Sequence, residues 1–397
     1  MIRIRPTSPT AIILVLMSGT LLAVAQLYLT VPLMPQLMDR HQVPAGTAAW
    51  VGAGFGAAYA VGSLIFGAAS DRFDPRRVLA GGLLASAVAT TAAGLSPAFE
   101  PLLVARTLQG FTAAAFPPVA LALVGGLLSP RHRAVAIAAI SSCFLLGGIV
   151  GQAYALVVYR WLGWAAVFTA LVVPLVMCAG LVTRLPAAGT GTAAGGLAGV
   201  FARFGDLLRR PPLLTVYLCA LAPLLTFVAM YSALNDVASD RFAIAGAGPL
   251  LALRLPGLPG IAIGACAGWF INRAGPYRTG ALAFLVAAAG MAVESTAGGL
   301  WLLLLGSAVY VAGLAVAVPS AIAAVGLASG DARGTGIAGY TFLIGVGGAV
   351  APLLAAATTA TTTGFGDLTL MLAVLLVGAA AALGLGPRPA PARAAVS

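Results

Sequence analysis

Charge is scarce in this chain. Asp, Glu and Arg together make up 8% of its 397 residues, and lysine is absent, so all 21 basic residues are arginine. A soluble globular protein carries about 25% charged residues. A chain that is 61% hydrophobic cannot cover a soluble surface with so little charge, which excludes soluble enzymes and soluble binding modules. An integral membrane protein remains. The net charge of +11 is not a nucleic-acid footprint, because the arginines do not gather on one soluble domain. Cysteine is scarce too: Cys143, Cys178, Cys219 and Cys266 sit inside apolar runs at no metal-ligand spacing and read as small buried hydrophobes. No Walker-type phosphate loop is found, so direct ATP drive is not expected. No Ser–His–acid constellation suggests an enzyme, and no cofactor or metal is expected.

What the chain has is long apolar runs. Twelve reach the roughly 20 residues needed to cross a bilayer: spans 1 to 12 fall near 11–36, 47–69, 78–97, 101–128, 134–158, 164–184, 211–234, 248–270, 279–297, 300–326, 335–358 and 367–386. The beginning imitates a secretion signal, with Arg3, Arg5, an apolar run and Ala23-Val24-Ala25. The run continues to about Met38, too long for such a signal, so it reads as a first spanning helix with its N-terminus inside. An even number of spans puts both termini on one side. Arg72, Arg76, Arg77, Arg131, Arg133, Arg184, Arg209, Arg210, Arg273 and Arg278 then share that side, while Arg40, Arg160 and Arg241 fall on the other. The asymmetry marks the arginine-rich face as cytoplasmic. A multi-pass protein of the cell's inner (plasma) membrane, with both termini in the cytoplasm, is expected.

The densest charge is the hinge between spans 2 and 3, Gly67-Ala-Ala-Ser-Asp71-Arg72-Phe-Asp-Pro-Arg76-Arg77. It has a partner 201 positions later, where Gly67 maps to Gly268, Arg72 to Arg273 and Arg77 to Arg278, with Asn272 in place of Asp71. At the same offset Asp39-Arg40 maps to Asp240-Arg241, Pro118 to Pro319 and Gly147 to Gly348. The chain is therefore two six-span halves, 1–184 and 211–387, joined by a Gly/Ala/Thr-rich cytoplasmic linker at 185–210 and followed by a tail at 388–397. Parallel six-helix repeats place a binding site between the halves, near mid-membrane.

Arg106 in span 4 begins a stripe of Arg106, Gln109, Gly110, Ala113, Ala114 and Pro117 on one helical face. That face is polar at one end and small below, which suits a water-filled cavity, although an arginine five residues into a span can also snorkel to the interface. Arg254 in span 8 is read the same way. Gln26 in span 1, Tyr59, Gln152 and Tyr231 are further cavity candidates. Asn235 and Asp236 end span 7, where a solvated cap competes with a cavity role. Small-residue faces occur at Gly52, Gly56 and Gly67 on span 2 and at Gly147 and Gly151 on span 5, where they let helices approach closely. Of the ten acidic residues none is plainly mid-membrane, which leaves Asp236 and Glu294 as proton-coupling candidates.

The pattern resembles the major facilitator superfamily over nearly the whole chain. The Gly67–Arg77 hinge resembles its signature loop between helices 2 and 3. Arg106-Thr-Leu-Gln109-Gly110 resembles the R-x-x-Q-G motif of its drug:proton antiporter branch, and Pro32-Leu-Met-Pro35 resembles that branch's L-P element. Two departures stand out: Asp74-Pro75 makes the turn where the loop usually has Gly, and span 5 lacks the branch's Gly-Pro pair. The resemblance implies an all-α fold of twelve helices in two pseudo-symmetric halves that rock to alternate access. It implies that helices 2 and 5 face the opposite half. It also implies a gating role for Gly67, Asp71, Arg72, Arg76 and Arg77, echoed by Asn272 and Arg273. The expected activity is proton-coupled export of small organic compounds by a monomer. The alternative is uptake or facilitated transport of a small anionic metabolite, drawn by Arg106 and Arg254. A membrane sensor or membrane enzyme is the competing class, and no soluble signalling domain is present to serve it.

Overall fold

The computed structural model describes residues 8–187, 202, 204–207, 209–244, 247–264, 266–330, 333–360 and 364–388. The described chain is all helical, with no strand among the described residues. Ten helices are long and apolar enough to cross a bilayer. The other two crossings are spans 6 and 8, which the sequence reads as continuous and the structure breaks. Span 6 is carried by the short apolar helix Val172–Val182, and span 8 by three pieces, Ala247–Ala252, Gly257–Gly264 and Ala267–Ala274.

Each break has a local cause. Gly163 sits at φ +80° and ψ −175°, a conformation that side chains disfavour, and it turns the chain out of span 5 into span 6. Pro32 and Pro35 divide span 1 into Pro9–Ala25, two 3-10 turns (Gln26–Tyr28 and Val31–Leu33) and Met34–His41. Proline has no N–H to continue the ladder and crowds the preceding turn. The pair Pro117–Pro118 does the same in span 4, separating Phe99–Ala113 from Pro117–Leu127. Span 7 departs the other way. Its helix Ala222–Phe242 runs through Asn235 and Asp236 and ends at Ala243, φ +51°, so those two residues do not terminate it.

The two six-span halves meet along span 2 (Trp50–Arg72) and span 11 (Arg333–Ala360). Gly56 faces the backbone of span 11 so closely that an added Cβ would lie 2.5 Å from the Ala349 nitrogen. Gly52 faces Pro352 at one end of this seam and Gly67 faces Ala338 at the other. The glycines of span 5 behave differently from the expectation that they face the opposite half. Gly147 and Gly151 pack on Val24 and Ala25 of span 1, within their own half, and the glycine between them, Gly148, meets Phe227 of span 7 across the divide. A helix has two sides, and the residues four apart chose the inner one.

The loop between spans 2 and 3 is built on Asp74. Its side chain accepts the Arg76 N–H at 3.0 Å and so caps the helix Pro75–Gly94. The Arg76 side chain returns to both carboxylate oxygens, at 3.1 Å from Nε and 2.7 Å from Nη2, and donates from Nη1 to the Leu185 carbonyl at 2.9 Å. The hydrogen bonds from Arg76 hold the Asp74 carboxyl below the usual carboxylate range. Arg72 and Arg77 are exposed, as are Asn272 and Arg273 in the second half, where Arg273 lies 5.7 Å from the Trp269 ring. The side chain of Asp71 lies outside the described residues.

Candidate functional site

Arg106 is fully buried, 0% exposed, in the first half. The break in span 1 explains its place. Where the helix loosens at Gln26–Tyr28, backbone carbonyls lose their helical partners and point sideways. Arg106 Nη1 donates to the Gln26 carbonyl at 2.8 Å and to Gln109 Oε1 at 2.6 Å, while Nη2 reaches the Leu27 carbonyl at 3.5 Å. The guanidinium also lies 4.6 Å from the Phe55 ring centroid. Gln109 Nε2 donates onward to Gln26 Oε1 at 2.7 Å and Thr90 Oγ1 at 2.8 Å, and the hydroxyls of Ser86 and Thr90 donate to the same Gln26 oxygen at 3.0 and 2.8 Å.

This network differs from the expected water-filled face. The stripe from Arg106 downward packs against spans 1, 2 and 3, and Gly110 sits against the Phe55 backbone. Arg106 and Gln109 clamp a broken helix, and every atom receiving a bond from Arg106 is a neutral oxygen. Tyr59 is buried one turn away, its ring stacked on Phe55 at 6.4 Å and its hydroxyl without a partner. The sequence signalled Arg106, Gln109 and Gln26 but not Ser86, Thr90 or Phe55. Their only mark was polar or aromatic character inside apolar spans.

The second half carries a counterpart at the repeat offset of 201, with Arg106 replaced by Ser307 and Gln109 by Tyr310. Tyr310 shares a hydrogen bond with Thr226 at 2.8 Å, and Tyr231 lies 3.5 Å from the Ser307 hydroxyl. Glu294 of span 9 (Pro276–Ser295) stands beside them, 1% exposed, with no partner for either carboxylate oxygen. Arg254 sits at the break in span 8, also 0% exposed, and its Nε crosses to the first half to donate to Gln152 Oε1 at 2.8 Å. Its Nη1 donates to the Leu250 carbonyl, and its guanidinium lies 5.9 Å from the Tyr231 ring. The Tyr28 ring meets Phe227 edge-on at 5.7 Å, a second contact between the halves. The side chains of Asn235 and Asp236 lie outside the described residues.

A cavity of about 180 Å³ lies between the halves on the face opposite the arginine-rich hinge. Val31, Met34 and Met38 of span 1 line it with Ala49 ahead of span 2, and Ser232 of span 7 and Pro352 of span 11 close it from the second half. Its lining includes no charged side chain and only one side-chain hydroxyl, that of Ser232. Neither Arg106 nor Arg254 reaches it, so the structure separates the open apolar space from the buried arginines that the sequence placed together.

The profile of the Major Facilitator Superfamily matches residues 16–297. An uncharacterized MFS-type transporter of Mycobacterium tuberculosis, Rv1250, is 27% identical over 177 residues, which is 44% of this chain and 29% of that protein. The triacylglyceride transporter Rv1410c of the same organism is 30% identical over 158 residues, 38% of this chain and 30% of that protein. The matches thus span less than a third of those relatives' lengths. Among solved structures, the human organic anion transporter MFSD10 (TETRAN) superposes with a TM-score of 0.77 at 20% identity, covering 94% of this chain and 99% of that one. A bacterial homolog of the human lysosomal transporter Spinster, inward-facing and unoccupied, gives 0.70 at 14% identity, covering 95% and 96%. At these identities the likeness is one of fold.

Proposed function

Since the chain belongs to the Major Facilitator Superfamily, we propose that it is a secondary transporter, not an enzyme, that alternates access by rocking its two six-helix halves and exports small, largely apolar organic molecules in exchange for protons. The observation that carries the substrate class is the cavity between the halves. An apolar cavity of about 150 Å³ takes up a molecule such as benzene. The space lined by Met34, Met38 and Pro352 is of that order, about 180 Å³, and offers a neutral aromatic ring or short alkyl segment mainly apolar contact. Methionine side chains adapt to varied shapes, which favours a range of cargo over one compound. That a relative bears the name triacylglyceride transporter accords with apolar cargo.

A second reading, transport of an organic anion, draws on the two buried arginines and on the name of the MFSD10 neighbour. It is weaker here because both guanidinium Nη atoms of Arg106 donate within its own half and neither Arg106 nor Arg254 belongs to the cavity lining. Transport of a neutral lipophilic dye and of its carboxylated analogue in proteoliposomes, with and without an imposed pH gradient, separates the readings. Uptake of the neutral dye driven by the gradient is expected. Preference for the carboxylated dye would favour the anion reading, and indifference to the gradient would remove proton exchange while leaving transport.

The arginine asymmetry supports placing both termini and residues 185–210 in the cytoplasm, in a plasma-membrane protein working as a monomer. A cysteine introduced at Ser397 in a Cys266→Ser background is expected to resist a membrane-impermeant maleimide in intact cells. Labelling from outside would invert the topology.

A further inference from the structure

The linker reads from its composition as a slack connection, rich in Gly, Ala and Thr from 187 to 196. Its last part is seated. Residues 204–207 are helical, and the Phe204 ring lies between Tyr217 of span 7 and Phe342 of span 11, with centroids at 5.9 and 6.0 Å. The ring fills the space over Gly339, where an added Cβ would collide with it and stand 2.5 Å from the Tyr217 hydroxyl oxygen. That hydroxyl donates to the Gly336 carbonyl at 3.0 Å. Leu207, one turn on, is buried. Arg210 then donates from Nη1 to the Ser329 carbonyl at 3.3 Å, at the end of span 10. The segment thus rests on spans 7, 10 and 11 of the second half, while the first half holds the linker's start through the bond from Arg76 to Leu185.

Span 11 needs this support. Its helix Arg333–Ala360 opens with Gly334, Gly336 and Gly339 among its first seven residues. Glycine is, proline aside, the weakest helix former. This end therefore holds its course by packing and not by propensity. The residue before Gly339, Ala338, faces the first half: an added Cβ at Gly67 of span 2 would lie 2.7 Å from the Ala338 Cβ. Successive helix residues are turned by about 100°, since 3.6 make a turn. One short, intrinsically weak stretch of span 11 thus carries the Phe204 ring on one side and closes the seam between the halves on another.

We propose that Phe204 of the linker is a positioning residue for transport: its ring, wedged between spans 7 and 11, holds the glycine-rich end of span 11 against Gly67 of span 2. This rests on the reading of two rocking halves given above. With the ring in its seat, Ala338 stays on Gly67 and the arginine-rich side is closed. With the ring out, the first turns of span 11 lose their backing and bend away from span 2, and that side opens. The linker then does more than join the halves. It sets how often one side of the molecule is shut, from a place on the face opposite the apolar cavity and without touching cargo.

The test is the distance between the halves on the arginine-rich face. Arg184 at the end of span 6 and Arg278 at the start of span 9 are both exposed there. Spin labels on Arg184→Cys and Arg278→Cys, in full-length protein carrying Cys266→Ser in nanodiscs, report separation by double electron–electron resonance. Phe204→Ala is expected to raise the open-to-closed ratio at least about fivefold, within the usual range of such couplings. Phe204→Leu, which refills most of the seat, should stay close to the parent. Gly339→Ala, whose methyl would take the place of the ring, should shift the ratio the same way as Phe204→Ala. Parental distances in Phe204→Ala overturn the proposal whatever its melting temperature, because a merely structural ring would lower stability without moving the distances. So does an equal shift in Phe204→Leu, which would assign the effect to the linker backbone. If Phe204→Ala opens this face while the parent carries no neutral dye into proteoliposomes, the wedge stands and the transport reading falls. If the dye is carried and Phe204→Ala matches the parent in distance, the wedge alone falls.

Discussion

Replacing Arg106 with alanine is expected to cost the protein stability before it costs any chemistry. The substitution removes two short hydrogen bonds from a charged donor, to the Gln26 carbonyl and Gln109 Oε1, and the contact with the Phe55 ring. Each such bond contributes about 1.5–3 kcal/mol. The desolvation of the guanidinium is recovered in return, which leaves a net loss of about 2–4 kcal/mol. The carbonyls of the broken turn Gln26–Tyr28 would lose their lateral support, and span 1 would no longer hold one path through the bilayer. A lower melting temperature in detergent, by roughly 5 °C or more, should accompany loss of nearly all transport. Arg106→Lys should recover only part of both, because an ammonium lacks the planar fork that reaches two oxygens and lies against a ring. Thermal unfolding decides the matter. If Arg106→Ala melts like the parent but does not transport, the arginine acts on cargo or protons and the clamp is secondary.

Valine at Gly56 should stop the cycle without unfolding either half. The Cβ alone would stand 2.5 Å from the Ala349 nitrogen, and ordinary contact needs about 3.5–4 Å. Two rigid backbones face each other there, so no side chain can swing aside, and the seam must open by about 1 Å. Protein interiors tolerate such overpacking badly. Each half keeps its own core, since the clash lies between them. Transport in proteoliposomes is therefore expected to fall at least tenfold, a shift of about 1.4 kcal/mol in the population of the packed form, with reconstitution unchanged. Gly81→Val, on an exposed face with nothing within 4 Å, is the matched control. Parental rates from Gly56→Val would show that the seam yields and that span 2 does not govern the rocking.

The fold was legible because its signals are local or periodic. Apolar length marks the spans, arginine position orients them, and the register of Asp39-Arg40 with Asp240-Arg241 reveals the halves. The broken spans carry their marks in proline, Pro117–Pro118 in span 4 and Pro256 and Pro259 just past Arg254 in span 8, although apolar length alone reads straight through them. Site residues were legible as types and not as partners. Arg106 and Gln109 share a helical face by spacing alone, whereas the meeting of Gln26, Ser86 and Thr90 on that face is a product of packing three spans. The hinge teaches the same distinction. The resemblance implies a gating role for Asp71, whose side chain lies outside the described residues, while the ion pair described in this loop is the one Asp74 makes with Arg76 at the turn before Pro75. Glu294 sat near a span end, where sequence depth suggests water. Only the neighbour across, Gly306, reveals that it is sealed.

The neutral company of Arg106 has a consequence for the electrical behaviour of the molecule. The oxygens that hold it are carbonyls and an amide, so its positive charge is fixed within the first half with no carboxylate bonded to it among the described residues. A charge carried across the whole of a 100 mV membrane potential changes energy by about 2.3 kcal/mol. Rocking the first half by even a tenth of that path would move Arg106 through about 0.2 kcal/mol of field. The resting voltage then favours the form in which this half is displaced toward the negative side, whatever the cargo, and the protein works as a weak voltage-biased machine even when its substrate is neutral.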